Sequence, residues 1–452
     1  MRANGPLGRM GPGPAVVAVA FGLLSFAPRG PAVARTGAGR SPWKSAPERF
    51  VLATGEVCLF QRDAVSPTTV IHIFVPGGKA DVPPGQDGLA YLATRLTLEI
   101  PDAAVAQDLM AQATRLRLVV LEDCSIVTLE CLSENLEAAL RVAAAIVQDP
   151  LITGPRIENA KTAMAIHAKA ESDDAVEAGH AAALGAWFGG RGYGGATFGT
   201  EASLKALSKK DIVAFHGAHF TRNAIVFSVL SDLDRDRLQP LLERSFAKLP
   251  GRAAGPSAAV GPALPESREV RLEREAKQAF VGRAFLLPAP TPSAFAKGYL
   301  LHVLLGVGPG SRLWDLRAAR RLAYNVGARL TWMRPCGLLE AYLETGAEDR
   351  DRAVPALDAV LAELRRSGIG EDELAMTKSL ARSHLLRSLE RKAPRAQMMG
   401  EWEILGLGLG AFEGSFDGLD AVGLEEMNAF LRDVLDPARS LLVVFGGGKG
   451  GP

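Results

Sequence analysis

The chain is 452 residues long, and 48% of them are apolar, enough for two to four domains with full cores. Its 51 Lys and Arg stand against 50 Asp and Glu, a formal charge of +1. That balance supplies no overall drive toward nucleic acid or anionic lipid, and no basic block with interleaved aromatics argues for nucleic-acid binding.

Residues 1–34 have the three parts of a secretory signal: Arg2 and Arg9, the apolar run 15–27, then Ala32-Val33-Ala34. The run is about half the length that spans a bilayer, and small residues two apart suit signal peptidase, so cleavage is expected after Ala34. The mature chain, from Arg35 on, is then expected outside the cytoplasm, in a bacterial periplasm, with no membrane span.

The mature chain mixes strand patterns at 51–59, 69–75, 116–121 and 126–132 with helical patterns at 135–147, 155–171, 353–366 and 371–389. Strands come in neighbouring pairs with helices after them, which favours an α+β unit over a doubly wound parallel sheet. Cys58, Cys124, Cys131 and Cys336 have no C-x-x-C or zinc-knuckle spacing and assign no disulfide.

The unit occurs twice. Segment 204–231 aligns without gaps on 419–446, with Leu204 on Leu419, Ala206 on Ala421 and Phe215 on Phe430. Upstream, two apolar strands ending at Pro76 and Pro288 repeat at very nearly the same offset. Two echoes at nearly one offset argue for a doubled unit. Between the copies, 250–266 is rich in Pro, Gly and Ala and reads as a linker. The expected domains are 43–249 and 267–446.

The most informative stretch is 306–327, GVGPGSRLWDLRAARRLAYNVG. A turn with Gly306, Gly308 and Gly310 hands over at Ser311, an acceptable N-cap, to a segment whose Leu313, Leu316, Ala319 and Ala323 follow helical spacing. Arg317 and Tyr324 lie seven apart, two helical turns, and on a continuous helix share a face. A guanidinium and a phenol aimed the same way can hold a carbonyl or a carboxylate. The alternative is a solvated face formed by Arg317, Arg320 and Arg321, with Tyr324 at its edge.

The run SRLWDLRAARRLAYNV resembles the second-half signature of the pitrilysin/insulinase family of zinc metallopeptidases, the inverted zincins. The resemblance spans nearly the whole mature chain and implies two tandem α/β-sandwich domains forming half of a clamshell. It also implies that Arg317 and Tyr324 bind the substrate backbone, with Gly306, Gly308, Gly310 and Ser311 close to the peptide. The first-half pattern, H-x-x-E-H on a helix, should follow the loop through Asp87. There Tyr91 stands at the first His, Thr94 at the Glu and Arg95 at the second His. The family's third ligand, a Glu, should fall in 162–166, which reads Thr-Ala-Met-Ala-Ile between Glu158 and Glu171.

Zinc takes neutral imidazoles or anions, and an always-cationic Arg95 opposes a divalent ion. Thr94 cannot deprotonate metal-bound water. His216 and His219 sit at i, i+3, but Leu431 and Val434 replace them in the second copy, which marks them as structural. The tail Gly446-Gly447-Gly448-Lys449 lacks phosphate-loop spacing and reads as a frayed end.

Two functions are expected from the resemblance. In one, the chain is the non-metal subunit of a secreted heterodimeric peptidase. A homologous H-x-x-E-H subunit then carries the zinc, and Arg317 and Tyr324 contact its peptide substrate in trans. In the other, the chain is a non-catalytic scaffold or peptide-binding protein of the same fold. A hydrolase with its own site has no support, because G-x-S-x-G and Cys-His signatures are missing.

Overall fold

The structure, a computed structural model, describes residues 43–251, 261–263, 268–273 and 278–446. The signal segment 1–34, most of the linker 250–266 and residues 447–449 of the tail lie outside the described residues.

In the first half, β1 (Glu48–Val51), β2 (Val57–Arg62), β3 (Thr68–Pro76), α1 (Leu89–Leu96), α2 (Ala103–Ala111), β4 (Arg115–Val120) and β5 (Cys124–Leu132) come first. They are followed by α3 (Leu136–Gln148), α4 (Gly154–Asp173), α5 (Ala175–Phe188), α6 (Glu201–Ala206), α7 (Lys209–His219), β6 (Val226–Ser231) and α8 (Arg235–Ser245). The single strand expected at 51–59 is in fact the hairpin of β1 and β2. Leu52 accepts from the Gly55 N–H, and Gly55 takes φ +106°, so the chain turns where the apolar pattern alone reads straight through.

The second half opens with β7 (Glu269–Leu272), β8 (Gln278–Leu287), α9 (Pro292–Gly306), α10 (Trp314–Ala318), β9 (Asn325–Met333) and β10 (Cys336–Gly346). Then come α11 (Arg350–Ser367), α12 (Glu371–Ser388), α13 (Lys392–Ile404), α14 (Gly408–Glu413), α15 (Ser415–Ala421), α16 (Leu424–Val434) and β11 (Ser440–Gly446).

The first sheet has the order β1-β2-β6-β3-β5-β4 and the second β7-β11-β8-β10-β9. With β1 set aside they are one pattern, each with one parallel pair, β2 on β6 and β7 on β11. The register repeats as well. Arg117 lies opposite Thr128 in one sheet and Arg329 opposite Glu340 in the other, and both positions keep the offset that separates Pro76 from Pro288. Helices α7 and α16 begin and end at the offset that separates Leu204 from Leu419. The duplicated α+β architecture is therefore present down to strand register.

Each half lends a helix to the other's sheet. One face of the first sheet packs Ile71, Ile73 and Val229 against Leu140 of α3 and Leu242 of α8. Its opposite face, with Phe74, Ile126 and Val226, is covered by Ala396 and Met399 of α13. Reciprocally, Leu184 and Trp187 of α5 lie on Phe280, Leu338 and Val443 of the second sheet. Each large side chain so buried contributes about 1.5–3 kcal/mol.

Both crossings depend on a glycine. A Cβ on Gly400 of α13 would stand 2.0 Å from the Phe74 ring, and one on Gly179 of α5 would stand 2.4 Å from the Phe280 ring. Polar bonds fix the register of α13: Ser228 Oγ donates to Ala396 O at 2.7 Å, and Lys392 Nζ donates to Ser66 O (2.8 Å) and Thr68 O (2.7 Å). Between the halves, Asp123 accepts from Arg334 Nε (2.6 Å) and the Arg334 backbone N–H (2.9 Å), and within its own half it accepts from Tyr193 Oη (2.6 Å).

Candidate functional site

Helix α1 follows β3 through the 77–88 loop and packs Leu89, Leu92, Ala93 and Leu96 against Met164 of α4 and Ile212 and Phe215 of α7. Helix α7 is held in place by a capping box in which the Ser208 and Asp211 side chains each accept a backbone N–H of the other. The three positions that the resemblance sets against the metal motif, Tyr91, Thr94 and Arg95, sit on α1. Tyr91 packs edge-on against Phe198 (ring centroids 4.8 Å), which stacks on His167 (5.2 Å). Thr94 is fully buried, and its Oγ1 has no hydrogen-bond partner. Arg95 pairs with Glu99 one helical turn later at 2.6 Å.

Residues 162–166 lie on α4, and Met164, the one packed against α1, is apolar. Among the described residues no group of three or more His, Cys, Asp or Glu is placed to hold a metal. The donor set therefore does not fit zinc. Among the described residues no base bonds Thr94 Oγ1, and Arg95 cannot accept a proton, so α1 presents no activated nucleophile.

A charged group without any sequence signal stands beside α1. Lys79, 9% exposed, lies where burial pushes its ammonium pKa down while Glu122, Glu171 and Asp87 act to raise it. Burial likewise pushes Glu171 up, with Lys79 opposing. A lone Lys after a Gly-Gly turn carries no motif, and Glu171 stands out in the sequence only as a flank of the missing ligand.

Around 306–327 the structure corrects the expected long helix. α10 has five residues, Trp314–Ala318. Ala319 and Arg320 both donate to Asp315 O, Arg321 takes φ +50°, and Leu322 N returns to Leu316 O, so the helix unwinds. The cause is tertiary: Val326 onward must pair with β10, and Tyr324 N already donates to Glu344 O. Arg317 and Tyr324 thus do not share a helix face. Arg317 is exposed and lies over the Trp314 ring at 4.8 Å. Tyr324, 46% exposed, donates its hydroxyl to Thr345 O at 2.6 Å; burial, then Glu348 and Glu344, push its pKa up.

Ser311 is not the N-cap of α10, a position held by Leu313; its Oγ folds back onto Gly308 O at 2.8 Å. Gly306 is required by packing, since a Cβ there would lie 2.1 Å from the Ala328 nitrogen, and Gly308 is required by its φ of +77°. Gly310 has open space around it, with the Met376 methyl at 4.0 Å. Arg312 clamps the loop to α12 with a two-pronged bond to Glu373 (2.7 and 2.5 Å). His216 and His219 bond separate backbone oxygens, Val147 O (2.9 Å) and Pro76 O (2.7 Å). All four cysteines are free and buried.

Comparisons place this geometry among known proteins. Residues 206–380 match the family model described as the peptidase M16 inactive domain. An uncharacterized zinc protease of Mycobacterium tuberculosis is 25% identical over 308 residues, 67% of this chain and 70% of that protein. A non-peptidase homologue of Helicobacter pylori is 24% identical over 382 residues, 83% of this chain and 88% of that one. Among solved structures, a peptidase M16 inactive domain from Pseudomonas fluorescens superposes with a TM-score of 0.80 at 22% identity, over 88% of this chain and 98% of that one. A chain of complex III from Candida albicans gives 0.73 at 14% identity, over 88% and 96%.

Proposed function

For a chain that belongs to the M16 (pitrilysin/insulinase) peptidase family and lacks that family's metal ligands, we propose a non-catalytic role: a protein of the duplicated M16 fold that acts by binding a peptide or protein partner. The observation that carries this reading is α1, where Tyr91, Thr94 and Arg95 stand at the motif positions packed, buried or ion-paired. The inactive-domain description of the family model and the non-peptidase description of the Helicobacter pylori relative agree with it. The complex III chain supports it as a protein of the same fold within a larger assembly. The halves 43–249 and 267–446, joined through 250–266, then form one binding body delivered to the periplasm.

The test is direct. The purified mature chain, after dialysis with zinc, is expected to hold no stoichiometric metal and to leave a quenched peptide uncut. Chelator-sensitive cleavage by the chain alone, lost on substitution within α1, would overturn the reading.

A second reading keeps the chain in proteolysis, with Arg317 and Tyr324 meeting the substrate of a zinc-bearing H-x-x-E-H partner. It is favoured by the exposure of Arg317, which makes no ion pair among the described residues. If it holds, Arg317→Ala in a reconstituted pair slows cleavage about 10²- to 10³-fold with the partner still bound. Unchanged cleavage, or no peptidase partner recovered, leaves the non-catalytic role alone.

A further inference from the structure

A groove of about 1460 Å³ lies beside α13 on the first sheet. Its walls are the start of β3, the outermost strand β4 with its neighbour β5, and the turn between α12 and α13. The groove is larger than the 300–1,000 Å³ usual for small-molecule sites.

Eight Lys and Arg line it against three carboxylates, although the whole chain is nearly neutral. Three of the cations are already engaged: Arg62 with Asp234 (3.0 Å), Lys392 with Ser66 O and Thr68 O, and Arg395 with Asp63 (3.1 Å). The other five, Lys44, Arg115, Arg117, Arg387 and Arg391, are exposed and form no ion pair among the described residues. Asp63 is taken by Arg395, so only Glu130 and Glu390 remain to oppose them. Arg115 and Arg117 are two apart on β4 and so point the same way, with Val119 next on that face. Arg387 and Arg391 stand on the other wall beside Leu386, which is 42% exposed.

We propose that this groove binds an acidic polypeptide segment in extended form, its carboxylates taken by the facing arginines and its apolar side chains by Val119 and Leu386. Arginine suits the task, since its fork pairs a carboxylate through two bonds. Nucleic acid is disfavoured because the groove offers no free aromatic platform. The Trp43 ring is covered by the Arg395 guanidinium at 4.0 Å, and buried His72 has both nitrogens bonded, to Thr128 Oγ1 (2.7 Å) and Ala393 O (2.9 Å). A flat bilayer surface cannot enter a recess walled on two sides. The proposal goes beyond the non-catalytic reading and does not depend on it: peptidase activity would overturn that reading and leave this groove as it is.

The experiment is fluorescence anisotropy of the mature chain with a labelled Glu/Asp-rich peptide, alongside Gly/Ser-rich and Lys-rich peptides of equal length. The acidic peptide is expected to bind best and to weaken as salt is added. The double variant Arg115→Glu/Arg117→Glu should lose at least about tenfold in affinity and gain binding of the Lys-rich peptide, a gain that a misfolded protein would not show. On the other wall, Arg387→Glu/Arg391→Glu provides an independent pair with the same expected loss. Three results would overturn the proposal: no preference for the acidic over the neutral peptide, wild-type binding by both double variants, or phosphatidylglycerol vesicles or single-stranded DNA binding more tightly than the peptide in a way that these variants abolish.

Discussion

Where α5 crosses the second sheet, charge and shape are closed. Arg329 of β9 reaches Glu177 of α5 at 3.0 Å, His180 meets Glu340 within the sheet, and Trp187 fills the space beyond. Where α13 crosses the first sheet, Arg117, the register equivalent of Arg329, has no such partner and looks into an open groove. The strand framework is the same and the outcome is opposite. Duplication supplied two equal crossings, and divergence closed one and left the other able to take a ligand from outside.

The largest expected effect tests what holds each crossing. Asp63 and Arg395 are nearly buried (side chains 9% and 6% exposed), and a guanidinium cannot shed its charge, so Asp63→Ala strands it and should cost about 3–5 kcal/mol in denaturant unfolding. In the other crossing Glu340→Gln leaves His180 a side chain it can still hydrogen-bond, and the cost should fall to about 1–2 kcal/mol. Equal costs would break the comparison.

Next come the two close approaches. Gly400→Ala and Gly179→Ala improve helix propensity by about 1 kcal/mol but drive a methyl into a buried ring, so each should be net destabilising by about 1–3 kcal/mol. A stabilised variant at either site would show that the helix can lift from its sheet.

Acid separates the crossings further. His72 bridges β5 to α13, while Ala284 holds the matching position of β8, at the offset that carries Pro76 onto Pro288. Burial lowers the His72 pKa to about 4 from the ordinary 6.5. Between those values the unfolded chain is protonated and the folded one is not, so stability is full above pH 6.5 and lost as pH falls toward 4. His72→Gln should remove about 1.4 kcal/mol per pH unit from that slope, read from unfolding curves across the window. The smallest effect is expected for Arg329→Ala, under about 1 kcal/mol because its pair is partly exposed (33% and 44%), and Arg117→Ala should change stability even less.

How much of this was legible depended on what kind of signal carried it. The doubling could be read because α7 and α16 keep one apolar period at one offset, and period survives divergence. The mismatch with the zinc motif could be read because zinc chemistry depends on residue identity, and Tyr91, Thr94 and Arg95, at the positions the resemblance assigns, are not zinc donors. The end of α10 could not, because Leu313 to Ala323 has good helical spacing and only the pairing of β9 with β10 forces Arg321 to φ +50°. The hairpin at Gly55 was hidden for a similar reason, an apolar run on both sides of a turn. The basic groove was out of reach, since the five cations that form no ion pair among the described residues come from three distant segments around residues 44, 115 and 390, and a balanced total charge concealed them.

The lent helices also have a consequence in time. His72 finds its Ala393 partner 321 residues later in the chain. At ribosomal rates of about 5–20 residues per second, roughly 8 to 32 seconds pass between completion of the first sheet at Ser231 and the appearance of α13 to cover it. During that interval Phe74, Ile126 and Val226 have no intramolecular cover. The nascent first half thus carries an uncovered apolar face that α13 closes in the mature molecule.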